Sequence, residues 1–282
     1  MRIAIPLAPS NKQFFINKAY IEYLQGAGFE PFVVSPLDNI ALAAETCDGL
    51  LLPGGIDIDP TFYGDDNTAS YGVRPDQDDF DRKIYASFFM LGKPIFGICR
   101  GFQVIMREFL HKAPKARKWI EYRQNIHNHG LADSLSVGRD IPTHSVQINW
   151  ELYGKGDKKG KIFVNSMHHQ CVVIDEANKP KKKTNVKVLA VTKTGLSSIY
   201  TGKAAALKPL WILEGFELTG YESKIAAVQW HPEELKDYAL LQTFFGTNAE
   251  DAADTSTVED SDESEGRVEL PSSKEKAASG EA

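Results

Sequence analysis

Cysteine is scarce in this chain. Cys47, Cys99 and Cys171 are the three thiols among 282 residues, too few and too widely spaced for a disulfide framework or a multi-cysteine zinc site. Each is therefore to be judged as a free thiol. Long apolar runs are missing too. No stretch approaches the roughly 18 to 20 uninterrupted apolar residues of a membrane-spanning helix, and the apolar part of Met1-Arg2-Ile3-Ala4-Ile5-Pro6 is too short for a signal peptide. A cytoplasmic protein with no membrane partner is expected. An excess of basic charge is also absent, since the net charge is −6. The one basic run in the second half, Lys179-Pro180-Lys181-Lys182-Lys183, reads as a solvated hairpin rather than a nucleic-acid contact.

The negative charge is unevenly placed. Residues 247–282 hold eleven acidic and three basic side chains, a net of −8, which leaves +2 for residues 1–246. The same tail has no aromatic residue and almost no branched aliphatics, so it cannot bury enough apolar surface to offset the entropy of ordering it. Two parts follow: a folded domain over 1–246 and a disordered acidic tail over 247–282 that solvates the protein or meets a partner. With 42% of the chain hydrophobic, the body has material for a large core. No internal repeat is visible.

Within the body, strand-like and helix-like patterns alternate. Ile3 and Ile5 open a short apolar run; Ile16, Tyr20, Tyr23 and Leu24 recur at helical spacing and stop at Gly26-Ala27-Gly28. Phe32-Val33-Val34 and Leu50-Leu51-Leu52 read as strands buried on both faces, the second ending in Pro53-Gly54-Gly55. Phe80, Ile84 and Phe88 mark another helix, which leads into the buried strand Ile95–Ile98. The predicted class is α/β: a flavodoxin-like, doubly wound, mostly parallel sheet with helices on both faces. Residues 111–165 are polar and irregular and predict loops and a small antiparallel excursion. Further apolar runs follow at 163–164, 171–174, 186–191, 210–213 and 226–230, with a last helix at about 234–245. Ligands of such folds gather at the carboxyl ends of the strands.

Gly97-Ile98-Cys99-Arg100-Gly101 places a cysteine between two glycines where a buried strand should turn into a helix. That is the logic of a nucleophile elbow, with the helix start favouring thiolate over thiol. A buried cysteine in a glycine-rich turn is the bland alternative. Val228-Gln229-Trp230-His231-Pro232-Glu233 then supplies a base at a strand end and a carboxylate two residues on. Leu52-Pro53-Gly54-Gly55 ends another strand; the backbone N–H groups of Gly55 and Arg100 are candidates for holding an oxyanion.

In this order and at these separations the three motifs resemble the class I glutamine amidotransferase superfamily, with the nearest likeness to the γ-glutamyl-γ-aminobutyrate hydrolase family. The blocks PGGIDIDPTFYG (53–64), RPDQDDFDRK (74–83), GKPIFGICRGFQ (92–103), THSV (143–146), VNSMHHQ (164–170), ILEGFE (212–217) and VQWHPE (228–233) carry the resemblance, which covers residues 1 to about 245. It implies a thiol amidohydrolase with Cys99 as nucleophile, His231 as general base and acid, Glu233 as orienting carboxylate, and Gly55 and Arg100 as oxyanion hole. Gly54, Gln103, Ser166, His168 and His169 are the implied substrate-binding residues, the last three shaping the pocket wall or packing beneath it. The substrate would be a small γ-glutamyl compound, with no cofactor or metal. Arg100 favours the hydrolase-like branch over ammonia-donating subunits. Where the family has a glycine-rich segment leading to a substrate-binding Gln, this chain reads REFLHKAPKARKWIEYRQNIHNHG.

The remaining histidines, His127, His129, His144, His168 and His169, do not suggest a metal site, because no cysteine or carboxylate completes a recognisable ligand spacing. Cys47 and Cys171 sit in or beside apolar runs and read as inert core thiols. Three functions compete: a free-standing γ-glutamyl hydrolase, a glutaminase subunit passing ammonia to a synthetase in trans, and a non-catalytic binding or assembly protein that uses the acidic tail.

Overall fold

Alternating side chains sort the first strands onto two faces, and that alternation positions everything else. In the computed structural model, which describes residues 1–126, 129, 138–180, 184–193 and 211–246, Ile3 and Ile5 of β1 (Arg2–Pro6) point to one core and Ala4 to another. A short ribbon, β2 (Ala8–Pro9) and β3 (Phe14–Phe15), precedes α1 (Lys18–Gly26), whose first turn is capped by Asn17 accepting the Ala19 N–H. Then follow β4 (Glu30–Val34), α2 (Ile40–Thr46), β5 (Gly49–Leu52), α3 (Pro75–Met90), β6 (Ile95–Ile98) and α4 (Arg100–Lys112).

The second half is mostly strands: β7 (Ile120–Arg123), β8 (His144–Asn149), β9 (Lys159–Val164), β10 (Cys171–Ile174), β11 (Val186–Lys193), β12 (Trp211–Leu218) and β13 (Ile225–Val228), closed by α5 (Tyr238–Phe245). Residues 1–246 form one compact unit. The acidic tail 247–282, His127 and Lys181 to Lys183 lie outside the described residues.

The sheet runs β4-β1-β5-β6-β13-β12-β11-β8-β9. Its first five strands are parallel, and β13 then pairs antiparallel with β12. On one face Leu50 and Leu52 of β5 meet Phe80, Ile84 and Phe88 of α3 and Phe102, Ile105 and Phe109 of α4. On the other, Leu51, Phe96 and Ile98 meet Tyr20, Tyr23 and Leu24 of α1 and Leu240, Leu241 and Phe244 of α5. The doubly wound, flavodoxin-like architecture predicted for the chain is thus present.

Three details depart from the sequence patterns. The antiparallel wing reaches far beyond residues 111–165, because β10, β11 and β12 join it. Phe32 and Val33 are exposed rather than buried on both faces, since β4 is the edge strand and has β1 alone as neighbour. The last helix starts at Tyr238, later than its apolar pattern suggests, because residues after Pro232 form a turn in which the Asp237 N–H donates to the Pro232 carbonyl. No described helix is long and apolar enough to cross a membrane.

Candidate active site

Cys99 stands between the last residue of β6 and the first of α4 with φ 50° and ψ −102°, a backbone conformation that non-glycine residues avoid. Holding a residue there costs about 1 to 3 kcal/mol and persists where the surroundings over-determine it. Here the Cys99 N–H donates to the Val228 carbonyl at 2.9 Å, and its own carbonyl receives the Gln103 N–H at 3.2 Å. The flanking glycines are steric necessities. A Cβ on Gly97 would lie 2.7 Å from the Gly101 backbone, and one on Gly101 would lie 2.2 Å from the Leu52 carbonyl oxygen. The elbow therefore packs against the end of β5 and aims Cys99 out of the carboxyl edge of the parallel strands.

His231 follows β13 by three residues and is pinned through its backbone. Asn165 accepts the His231 N–H at 3.0 Å and returns a side-chain N–H to the His231 carbonyl at 3.0 Å. The ring's Nδ1 lies 2.6 Å from Glu233 Oε1. A carboxylate only accepts, so Nδ1 carries the proton and Nε2 is the nitrogen free for proton transfer. Both Cys99 and His231 converge on Gly54: a Cβ built there would lie 2.8 Å from His231 Cε1 and 3.4 Å from Cys99 Cβ. Burial pulls the His231 pKa down, but the charge of Glu233 and then that of Cys99 outweigh it and hold the imidazole up at about 10.

Arg100 plays two parts. As the first residue of α4 its N–H has no intrahelical partner, and the Gly55 N–H is likewise unpaired among the described residues. Its side chain, 1% exposed, turns the other way: Nε donates to Asp81 at 2.9 Å, a terminal nitrogen to Asp78 at 2.5 Å, and the other to the Ile56 carbonyl at 3.1 Å. The guanidinium thus ties the Gly54–Ile56 loop to α3. Burial raises both aspartates above their ordinary range, and the Arg100 charge offsets only part of that rise. Gln170 fastens the next part of the same loop, accepting the Ile58 N–H at 3.1 Å and donating to its carbonyl at 2.8 Å.

The elbow opens on a cavity of about 690 Å³. Of the residues singled out from sequence, Gly54, Gly55, Cys99, Arg100, Gln103, His168, His169 and His231 line it, and Glu233 stands behind His231. Ser166 is not among the lining residues; fully buried, its hydroxyl donates to the His129 carbonyl, so of the two places expected for it, in the wall or beneath it, it takes the second. Gln103 lines the cavity but its amide is engaged with the Gln170 carbonyl at 3.1 Å. His169 Nε2 lies 3.3 Å from Asp57 Oδ2. Cys47 and Cys171 are buried and do not line the cavity, and burial pushes both thiols up.

Sequence reasoning missed Tyr20, Asp78, Asp81 and Gln170 as parts of the site. It also dismissed a metal set for want of a carboxylate. Glu214 of β12 supplies one, lying with His129 and His168 in a buried group whose donor atoms are within 4.8 Å of one another.

The sequence pattern of the family described as Peptidase C26 matches residues 7–233. The Lactococcus lactis protein YvdE, described as glutamine amidotransferase-like, is 27% identical over 227 residues, covering 79% of this chain and 82% of its own length. Among solved structures, the glutaminase domain of Trypanosoma brucei CTPS with bound acivicin superposes with a TM-score of 0.53 at 15% identity, covering 88% of this chain and 94% of that one. PurLQS from Thermotoga maritima gives a TM-score of 0.50 at 18% identity, covering 86% and 96%. At such identities these two likenesses speak for the fold.

Proposed function

The chain belongs to the peptidase C26 family, within the class I glutamine amidotransferase-like group, and on that premise we propose that it hydrolyses a γ-glutamyl amide, glutamine or a γ-glutamylated amine, with Cys99, His231 and Glu233 as its catalytic residues. The carrying observation is the 2.6 Å contact of His231 with Glu233 beside a cysteine held on a strained elbow. In this reading Cys99 Sγ attacks the amide carbon while the N–H groups of Gly55 and Arg100 receive the developing oxyanion. The His231 imidazolium gives its proton to the departing amine or ammonia, which leaves a γ-glutamyl thioester on Cys99. Neutral His231 then takes a proton from water as that water attacks the thioester, and glutamate leaves with the thiol restored.

Glutamate release is the test, measured on wild type and Cys99→Ser with glutamine and a panel of γ-glutamylated amines, no other protein being added. Turnover of one γ-glutamylated amine, lost in Cys99→Ser, is expected. Turnover unchanged in Cys99→Ser overturns the nucleophile assignment. The glutamine amidotransferase-like description of YvdE keeps an ammonia-donating subunit as the second reading; slow, Cys99-dependent turnover of glutamine alone would favour it. Deletion of residues 247–282 is expected to leave turnover of small substrates unchanged in either case.

A further inference from the structure

Behind the cavity wall, three histidines and one glutamate from four separate segments meet in the interior. Glu214 is fully buried, His129 and His168 are 6% and 4% exposed, and the His144 side chain is 16% exposed. His144 Nε2 lies 3.1 Å from Glu214 Oε1, and His129 Nδ1 lies 3.7 Å from the same oxygen. The His129 ring stands 4.7 Å from that of His144 and 5.0 Å from that of His168. Neither the proposed hydrolysis nor the core packing uses these groups.

Two of these groups present lone pairs that no hydrogen bond uses. His168 Nδ1 lies 2.9 Å from the Gln170 carbonyl oxygen, which can only accept, so Nδ1 carries the hydrogen and Nε2 presents a bare lone pair. Among the described residues, that Nε2 and Glu214 Oε2 are both buried with no hydrogen-bond partner. Two bare acceptors in one buried cluster, one of them on a carboxylate, are unfavourable unless something positive satisfies them.

We propose that His129, His168 and Glu214 form a buried site for a divalent ion of the zinc type. Two imidazoles and one carboxylate are a donor set that suits zinc, with donors about 2.0 to 2.2 Å from the metal. The three donor atoms already lie within 4.8 Å of one another. The surroundings are those of a metal site as well. The Gln170 carbonyl fixes the tautomer and orientation of His168, and His144 holds the other oxygen of Glu214. A water would complete a tetrahedron.

The ion would be structural in effect. It joins His129 to β12 and to the 165–170 segment, whose Asn165 holds the backbone of His231 and whose Ser166 hydroxyl already donates to the His129 carbonyl. Binding would therefore brace the wall that carries His168 and, through Asn165, the catalytic histidine. Spacing rules cannot see such a site, because its carboxylate arrives from a strand 46 residues beyond the nearest ligand.

The experiment uses tag-free, full-length Cys99→Ser protein, which removes the nucleophilic thiol as a competing zinc ligand and leaves the proposed site intact. After chelator treatment it is titrated with Zn2+ by calorimetry, with Mg2+ as control, and its Tm is followed. One saturable Zn2+ per chain, a higher Tm, and a loss of affinity of about 100-fold or more in Glu214→Gln and in His168→Gln are expected. Co2+ gives a second readout on the parent protein should those variants fail to fold: the visible bands of a tetrahedral nitrogen and oxygen site, without thiolate charge-transfer bands. No saturable equivalent, an affinity untouched by the substitutions, or a thiolate signature at Cys47 or Cys171 overturns the proposal. None of these outcomes depends on what substrate the enzyme hydrolyses.

Discussion

The hydroxyl of Tyr20 accepts the Gly54 N–H at 2.8 Å while lying 3.4 Å from His231 Nδ1, so a single buried phenol in α1 joins the Gly54 loop to His231. Gly54 leaves it room: a Cβ there would stand 2.5 Å from that hydroxyl. Burial, and after it the charge of Glu233, pushes the Tyr20 pKa well up, so the phenol keeps its proton. Helix, loop and histidine are thereby fixed with respect to one another, which is what a site with reacting groups on three different strand ends requires.

Tyr20→Phe retains the ring in its apolar setting and removes only this link. The Gly54 N–H loses its partner, at about 1 to 3 kcal/mol for a buried donor. The loss should appear in the chemical step, with kcat falling about tenfold, equivalent to about 1.4 kcal/mol, and KM changing little. Steady-state kinetics on the preferred substrate checks this; an unchanged kcat would reduce Tyr20 to a packing residue.

Two glycines a few ångströms apart should respond in opposite ways to alanine. At Gly101 the added methyl meets backbone, the Leu52 carbonyl oxygen at 2.2 Å, so β5 or α4 must move. Overpacking of this kind costs about 1 to 3 kcal/mol, and denaturant unfolding should show it. At Gly54 the neighbours are the ends of two side chains, Tyr20 and His231. They can shift at the cost of the Tyr20 hydrogen bond, so Gly54→Ala should lose less stability than Gly101→Ala, yet lose about 100-fold in kcat because the His231 ring is displaced by the order of an ångström. Equal unfolding midpoints for the two variants would contradict the argument.

Among the described residues, Arg100 alone pairs with the buried Asp78 and Asp81, and it also supports the Ile56 carbonyl. Arg100→Met leaves Asp78 and Asp81 without a counter-charge. Removal of one partner from a buried ion pair costs about 3 to 5 kcal/mol, which a urea titration resolves. The milder Arg100→Lys keeps a charge but cannot reach both carboxylates and the carbonyl in the same fork. Reduced kcat with most stability retained is expected of it. A loss below about 1 kcal/mol in Arg100→Met would mean that the aspartates are already protonated in the wild type.

What could be read from the sequence was what local chemistry writes into a few adjacent residues. Gly97 and Gly101 around Cys99, and the carboxylate two residues after His231, are such cases, as is the strand–helix alternation of the first hundred residues. Tyr20 was hidden because it lies in the apolar stripe of α1, where a tyrosine and a core residue look alike. Asp78 and Asp81 read as an ordinary polar helix face until α4 brings Arg100 onto them. Glu214 lies within the apolar run of β12, and its partners come from three other segments. Apolar runs likewise mark β10, β11 and β12 without saying that they pair antiparallel, since strand direction depends on connections rather than composition.

The pH dependence follows from His231, whose folded pKa of about 10 lies above its ordinary value of 6.5. A raised pKa means that the imidazolium is stabilised by the fold; its contribution is complete below pH 6.5 and is lost as the pH rises through about 10. The first half of the proposed reaction needs that imidazolium to protonate the leaving amine. The alkaline limb of kcat/KM should therefore fall near pH 10, with little decline across pH 7 to 9. Glu233 is the largest of the groups that raise His231. In Glu233→Gln, burial should dominate, so the alkaline limb moves to lower pH and the protein loses its stability advantage at pH 8. Rate profiles and urea midpoints of the two proteins from pH 6 to 10.5 provide the check. An alkaline limb at the same pH in both would show that Glu233 orients the ring without tuning its proton affinity, and the charge coupling argued for this pair would be withdrawn.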